Sequence, residues 1–419
     1  MRTIAGALLT IFSAAAQDGE WLLPNFALRL SVDVSNPASH EVRALVTVPV
    51  AAARAVAPDF PGTLALAVML EAAGAQRKGL VIPSQADDLD GDGVPDEFDF
   101  PVMLRAGEKR RVDVYYSTTL RDPVAWPKRV NARHNYGYNR EVAAIESEEI
   151  GYRTYGGFFL DVMARDAGRP GLYNDAAGYV PVRLDLGTGR DVLHIGDSLG
   201  LGGMFLRRGA KVYQPPMNVP TYAHKPSPEM VPHYRVIADG PLRAIIETNL
   251  SDWNVDGDLV TLKARYSMDE GEPFVRCQFE AIPVRMAAGR ECEVGIGLRD
   301  LPAESRLPGS GRLIVSGKQN ERDGVVGLGL YFDPADFPSA AEVRTSECGN
   351  RAVIHKDRLA AGQAVRGEYT VAAAWKGSGI EDPGRYLTEM AGRVAGKAKI
   401  EGFRFTRTPR PDRVEAEAH

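Results

Sequence analysis

Apolar side chains recur at every second position along most of this chain. Phe26, Leu28, Leu30, Val32 and Val34 alternate with Ala27, Arg29, Ser31 and Asp33. Val42, Ala44, Val46 and Val48 repeat the pattern, as do Val112, Val114 and Tyr116. A period of two turns one face of an extended strand to a core and the other to water. Short strands of this kind, broken by turns such as Ala106-Gly107-Glu108, predict an immunoglobulin-like sandwich over residues 20–120, without the cysteine pair of antibody domains. Prolines and mixed charge mark residues 121–130 as a linker. Longer strand-like runs follow, among them 242–249, 259–268, 273–282 and 367–375. Helical spacing is confined to Tyr386, Met390 and Val394. The expected fold class is all-β: the small sandwich, then a large double-layered sandwich over 131–405, then a polar tail at 406–419.

At 419 residues the chain is long enough for two or more domains with a large core. A net charge of -5 with no dominant basic block argues against a nucleic-acid partner. It leaves room for an acidic polysaccharide, because a local arginine cluster binds carboxylates on an acidic surface. Three cysteines, Cys277, Cys292 and Cys348, make neither a disulfide scaffold nor a thiolate metal site. Residues 1–16 read as a signal peptide: Arg2, an apolar run from Ile4 to Phe12, then Ala14-Ala15-Ala16. No later apolar stretch is long enough for a membrane span. The expected location is therefore periplasmic or secreted, after removal of the signal peptide.

Between Asp88 and Asp99, five aspartates and two glycines fall within twelve positions. Asp88, Asp90, Asp92, Asp96 and Asp99 match the first part of a calcium loop, since hard cations take oxygen ligands from a tight turn. Position twelve is Asp99 where a helix-loop-helix site has Glu, and no amphipathic helix flanks the segment. The readings are a bare acidic turn between strands, a structural calcium ion or a metal acting directly in catalysis. No cofactor is expected to be required for catalysis.

Four clusters carry candidate chemistry. Residues 131–140 bring Arg133, His134, Asn135 and Tyr138 together; rings stack on sugars, and Arg, Asn and His bind hydroxyls or carboxylates. Residues 148–157 set Tyr152 on one strand face and Arg153 with Tyr155 on the other. Residues 193–203 crowd glycines around His194 and Asp197, which lets backbone approach a ligand. Tyr222, His224 and His233 form the fourth. Trp253 and Trp375 are candidate sugar platforms. Each cluster also has a plain reading, as a loop, a strand face or core filling.

Four blocks occur in order: Asp87-Asp88-Leu89-Asp90-Gly91-Asp92-Gly93, Glu149-Ile150-Gly151-Tyr152-Arg153-Thr154-Tyr155-Gly156, Gly196-Asp197-Ser198-Leu199-Gly200-Leu201-Gly202-Gly203, and Gly240-Pro241-Leu242-Arg243-Ala244. From Phe26 to Trp375 the chain thereby resembles the bacterial family known as domain of unknown function 4861. The resemblance implies a secreted protein encoded near polysaccharide-degrading enzymes. It also implies a large domain similar to the galactose-mutarotase type of β-supersandwich. The chain departs from common members at Glu149-Ile150-Gly151, and the resemblance assigns no catalytic residue.

The expected function is a lyase that cleaves uronate-containing oligosaccharides by β-elimination. Arg133 or Arg153 would neutralise the carboxylate, His194 or His134 would take the C5 proton, and Tyr155 or Tyr152 would protonate the leaving oxygen. Asn135, Tyr138, Asp197, Tyr222, His224, Trp253 and Trp375 would bind substrate. The alternatives are a hydrolase using two of Glu149, Asp197 and Glu247, and a carbohydrate-binding protein using Tyr138, Trp253 and Trp375.

Overall fold

The computed structural model describes residues 21–63, 65–71, 78–119, 126–137, 140–154, 158–164, 190–193, 195, 198–216, 232–302, 305–306, 309–320, 324–345, 349–376 and 379–407. The chain divides into two compact units, one of Met1–Trp126 with Gly396–His419 and one of Pro127–Ala395. Antiparallel strands dominate both.

The first unit is the immunoglobulin-like sandwich. A five-stranded sheet takes the strands in the order Lys399–Arg407, Leu28–Ser35, Lys109–Tyr116, Ala65–Glu71 and Lys78–Ile82. A three-stranded sheet takes Val42–Pro49, Glu97–Leu104 and Gln85–Asp87. The predicted alternation sets the packing: Leu30, Val32 and Val34 face Val46, Val48, Phe98, Phe100 and Val102 across one buried core. Phe60 closes that core edge-on against Phe98 and Tyr116, with ring centroids 5.9 Å and 5.1 Å away. On the other face, Arg29 is buried beneath the Trp21 ring, 4.8 Å from its centroid, and pairs with Asp113.

The strand Lys399–Arg407 belongs to this unit, whereas the sequence reading ran the large domain to residue 405. Phe405 lies opposite Leu30 and Phe403 opposite Val32, with a register shift at Asp33/Val34. That shift carries Ile400 out of step with the two phenylalanines, so the strand shows no clean period of two.

The second unit is the large β-supersandwich. A ten-stranded sheet runs Ser339–Arg344, Gly349–Ala360, Glu291–Arg299, Leu201–Arg208, Leu160–Ala164, Gly151–Thr154, Arg140–Ser147 and Val130–Gly137, with Arg190–Asp191 and Lys211–Tyr213 paired at the side. An eight-stranded sheet runs His233–Asp239, Arg243–Val255, Asp258–Asp269, Phe274–Arg285, Val365–Trp375, Gly324–Phe332, Arg312–Asn320 and Ser305–Arg306. The inward faces of the two sheets share one apolar core that includes Tyr152, Val162, Ile246, Leu262, Val294 and Leu328. The helix Pro383–Ala395 covers part of the eight-stranded sheet's outer face. Its Leu387 and Met390 pack on Phe274, Ile314, Tyr331 and Ala372, as the spacing of Tyr386, Met390 and Val394 led one to expect.

Candidate active site

The aspartate-rich turn folds around its own amides. Gly91 and Gly93 donate to the two carboxylate oxygens of Asp88 at 2.7 Å and 2.8 Å, and Leu89 donates to Asp96 at 2.7 Å. Those backbone donors hold the Asp88 carboxyl below its usual range. Oxygens of Asp88, Asp90 and Asp96 lie within 4.8 Å of one another. Three converging carboxylates fit a divalent cation.

Two sequence expectations are corrected here. Asp92 is not one of the three converging carboxylates, and its Oδ1 accepts from the Val94 amide at 2.7 Å. Asp99 is fully buried in the three-stranded sheet and accepts from the Thr47 hydroxyl at 2.7 Å. The five-aspartate calcium loop is therefore not assembled; calcium takes six to eight oxygens, and nothing in this turn selects it. Nor does the expectation that no cofactor is required stand, since Asp88, Asp90 and Asp96 make a candidate metal centre.

The glycine-rich turn has a packing role in its described part. Gly202 has φ +71 and its carbonyl accepts from the Tyr369 hydroxyl at 2.8 Å. A Cβ on Gly203 would sit 2.2 Å from the Leu199 carbonyl oxygen, so no larger residue fits. His194 and Asp197 lie outside the described residues, as do Tyr138, Tyr155, Tyr222 and His224. Asn135 lies on the strand Val130–Gly137, its side chain outside the described set.

The remaining candidates separate by face. His134 lies on the core-facing side, its ring 5.6 Å from that of Tyr234. Tyr152 is wholly buried; its hydroxyl donates to the Pro273 carbonyl at 2.6 Å and accepts from the Ala373 amide at 2.9 Å. Burial drives its phenol far above the usual range, so Tyr152 ties the two sheets together and supplies no proton to solvent. Trp253 and Trp375 are core residues and present no open ring. Glu247 lies on the eight-stranded sheet between Arg235 and Arg265, at 3.3 Å and 2.8 Å. Glu149 is exposed in a turn.

Arg133 and Arg153 share the opposite face of the ten-stranded sheet, on either side of Ala144. Arg153 is sealed in and pairs directly with Asp161 across the strands. Its Nη2 donates to Asp161 at 2.8 Å and reaches Asp191 at 3.3 Å. The Asp161 side chain is 2 % exposed and that of Asp191 28 %. Burial first, and the Asp191 charge second, push the Asp161 carboxyl well above its usual range; Arg153 opposes both without cancelling them. Asp161 and Asp191 were missed in the sequence. The available signal was a charge between Leu160 and Val162, a polar residue in an apolar strand.

Comparison with known proteins gives two kinds of result. No curated protein matches the chain by sequence. Among solved structures it is similar to an alpha-mannosidase from Enterococcus faecalis V583, with 9% identity, a TM-score of 0.45, 88% of this chain and 46% of that one covered. It is also similar to a protein of glycosyl hydrolase family 38 from Enterococcus faecalis, with 9% identity, a TM-score of 0.46, and 89% and 47% covered. The chain thus spans less than half the length of either. The uronate-lyase expectation is overturned: Arg153 is held by two aspartates and Tyr152 is locked in the core between two backbone groups, so neither can serve the elimination as expected. The pattern of one domain family covers residues 34–400, and the chain belongs to that family, the domain of unknown function DUF4861.

Proposed function

We propose that this chain is an exported, carbohydrate-active hydrolase whose acid–base pair is Asp161 and Asp191, aligned by Arg153. One observation carries the reading: two carboxylates from neighbouring strands converge on a single guanidinium nitrogen, one sealed from water and one reaching the surface. Hydrolysis of a glycosidic bond needs a protonated carboxyl group and a proton acceptor. Burial and the Asp191 charge raise the Asp161 carboxyl, which makes Asp161 the member that holds a proton. Asp191 is the member a substrate reaches. The pair gives its proton to the leaving oxygen as the C–O bond breaks; water forms the new C–O bond and returns a proton to the pair. A divalent ion would be held by Asp88, Asp90 and Asp96, where it would neutralise their charge and brace the turn. The basic, apolar and small-residue opening of the chain supports export.

The test is a panel of aryl glycosides and oligosaccharides, read as new reducing ends. Asp191→Asn is expected to abolish turnover and leave the melting temperature unchanged. Undiminished release by Asp191→Asn, or an unsaturated product from the native protein, would sink the reading.

A further inference from the structure

Consecutive residues on a strand face opposite ways, so Tyr152 enters the core while Arg153 lies on the other face with its cross-strand partner Asp161. The Tyr152 hydroxyl uses both of its bonding capacities there. It donates to the Pro273 carbonyl at 2.6 Å and accepts from the Ala373 amide at 2.9 Å. Ala373 belongs to the strand Val365–Trp375 of the eight-stranded sheet, and Pro273 leads into the adjacent strand Phe274–Arg285. With the ring held at its tip, the strand Gly151–Thr154 can neither roll nor slide without breaking both bonds. Arg153 is held with it.

The strand Val365–Trp375 makes a second reach across the core. Tyr369, four residues before Ala373, donates to the Gly202 carbonyl at 2.8 Å. Its ring lies against bare backbone: a Cβ on Gly202 would sit 3.0 Å from Tyr369 Cε2 and 2.6 Å from Val371 Cγ1. Gly202 lies on Leu201–Arg208, next to the strand that carries Asp161. Leu201 pairs with Leu160, and the Met204 amide donates to the Phe158 carbonyl at 2.9 Å. One strand of the opposite sheet thus anchors the carriers of both Arg153 and Asp161, each through a tyrosine hydroxyl sealed in the core.

Resting on the hydrolase reading above, we propose that Tyr152 and Tyr369 are positioning residues for the acid–base pair, setting Arg153 against Asp161 from across the core. Neither tyrosine touches substrate. Each acts through its backbone anchor, and small errors of placement lower catalytic rates steeply. At the pair, Arg153 and Asp191 face Asp161. Arg153 opposes the burial and the Asp191 charge that raise the Asp161 carboxyl, so loosening Arg153 lets that carboxyl rise further.

The test compares three hydroxyl deletions in the full chain: Tyr152→Phe, Tyr369→Phe and, as the control, Tyr331→Phe. Tyr331 is also buried and donates to a carbonyl, that of Leu387, at 2.6 Å. Its bond holds the helix Pro383–Ala395 and neither strand of the pair. Urea unfolding is followed across pH, each protein measured against the same protein carrying Asp161→Asn. The pH at which the Asp161 contribution is lost is expected to move upward in Tyr152→Phe and Tyr369→Phe and to stay in place in Tyr331→Phe. On an aryl glycoside that the native protein cleaves, the first two are expected to lose about tenfold in kcat at unchanged KM and to shift the pH–rate profile. Tyr331→Phe should keep both. An unmoved pH in either folded variant, or equal movement in Tyr331→Phe, overturns the proposal. If one of the two fails to fold, the other decides. If Asp191→Asn keeps full turnover, the hydrolase reading fails, and the unfolding measurement still decides whether the tyrosines set the pair.

Discussion

Arg153 holds two carboxylates with one nitrogen, set in place by a planar guanidinium that a lysine's flexible stem does not reproduce. Arg153→Lys is therefore expected to cut turnover by roughly a hundredfold, within the range general acid–base groups contribute. It should also move the pH–rate profile, which a purely structural arginine would not do. Asp161 gives a second signature. Its folded carboxyl sits above the ordinary value of 3.8, so the folded state binds more protons between the two values. Its contribution is complete below the unfolded value and is lost as pH rises through the folded one. Denaturant titrations from acidic to neutral pH should show this slope in the native protein and lose it in Asp161→Asn. The sequence made Arg153 visible and its partners invisible. An arginine on a strand reads equally as a substrate clamp or a buried ion; which it is depends on residues opposite, and only register supplies those.

At the scale of elements, the aspartate turn and the glycine turn were both conspicuous in the sequence and turned out differently. In the first, backbone amides already occupy Asp88, and its depressed pKa stabilises the fold above the ordinary aspartate range, a contribution lost as pH falls through the depressed value. Removing divalent ions is expected to lower the melting temperature, with recovery measured across calcium, magnesium, manganese and zinc. Asp88→Ala should abolish both the loss and the recovery; no shift with any of these ions would leave a plain turn. In the second, the glycines seat Leu199 over Gly203. Gly203→Ala is expected to destabilise the protein by about 2 kcal/mol or more in urea unfolding. Strands were legible wherever alternation was unbroken, as at Leu28–Ser35 and Val42–Pro49. They were not legible where a bulge put the apolar residues out of step, as in Lys399–Arg407.

For the whole molecule, the all-β class followed from period two, but the membership of its last strand did not. Val32 and Phe403 are paired neighbours although nearly the entire chain separates them in sequence. A variant truncated after Ala395 is expected to lose stability in the first unit, read as an early melting transition while the second unit's transition stays put.

That pairing sets an order of events during synthesis. The strand Leu28–Ser35 emerges early and finds Lys109–Tyr116 soon after, but its other edge stays open until the ribosome has finished the second unit. An unpaired, alternating edge is a template for wrong partners. The newborn chain therefore carries a waiting period, and whatever shields that edge meanwhile, a chaperone or a slow passage in extended form, becomes part of how this protein is made.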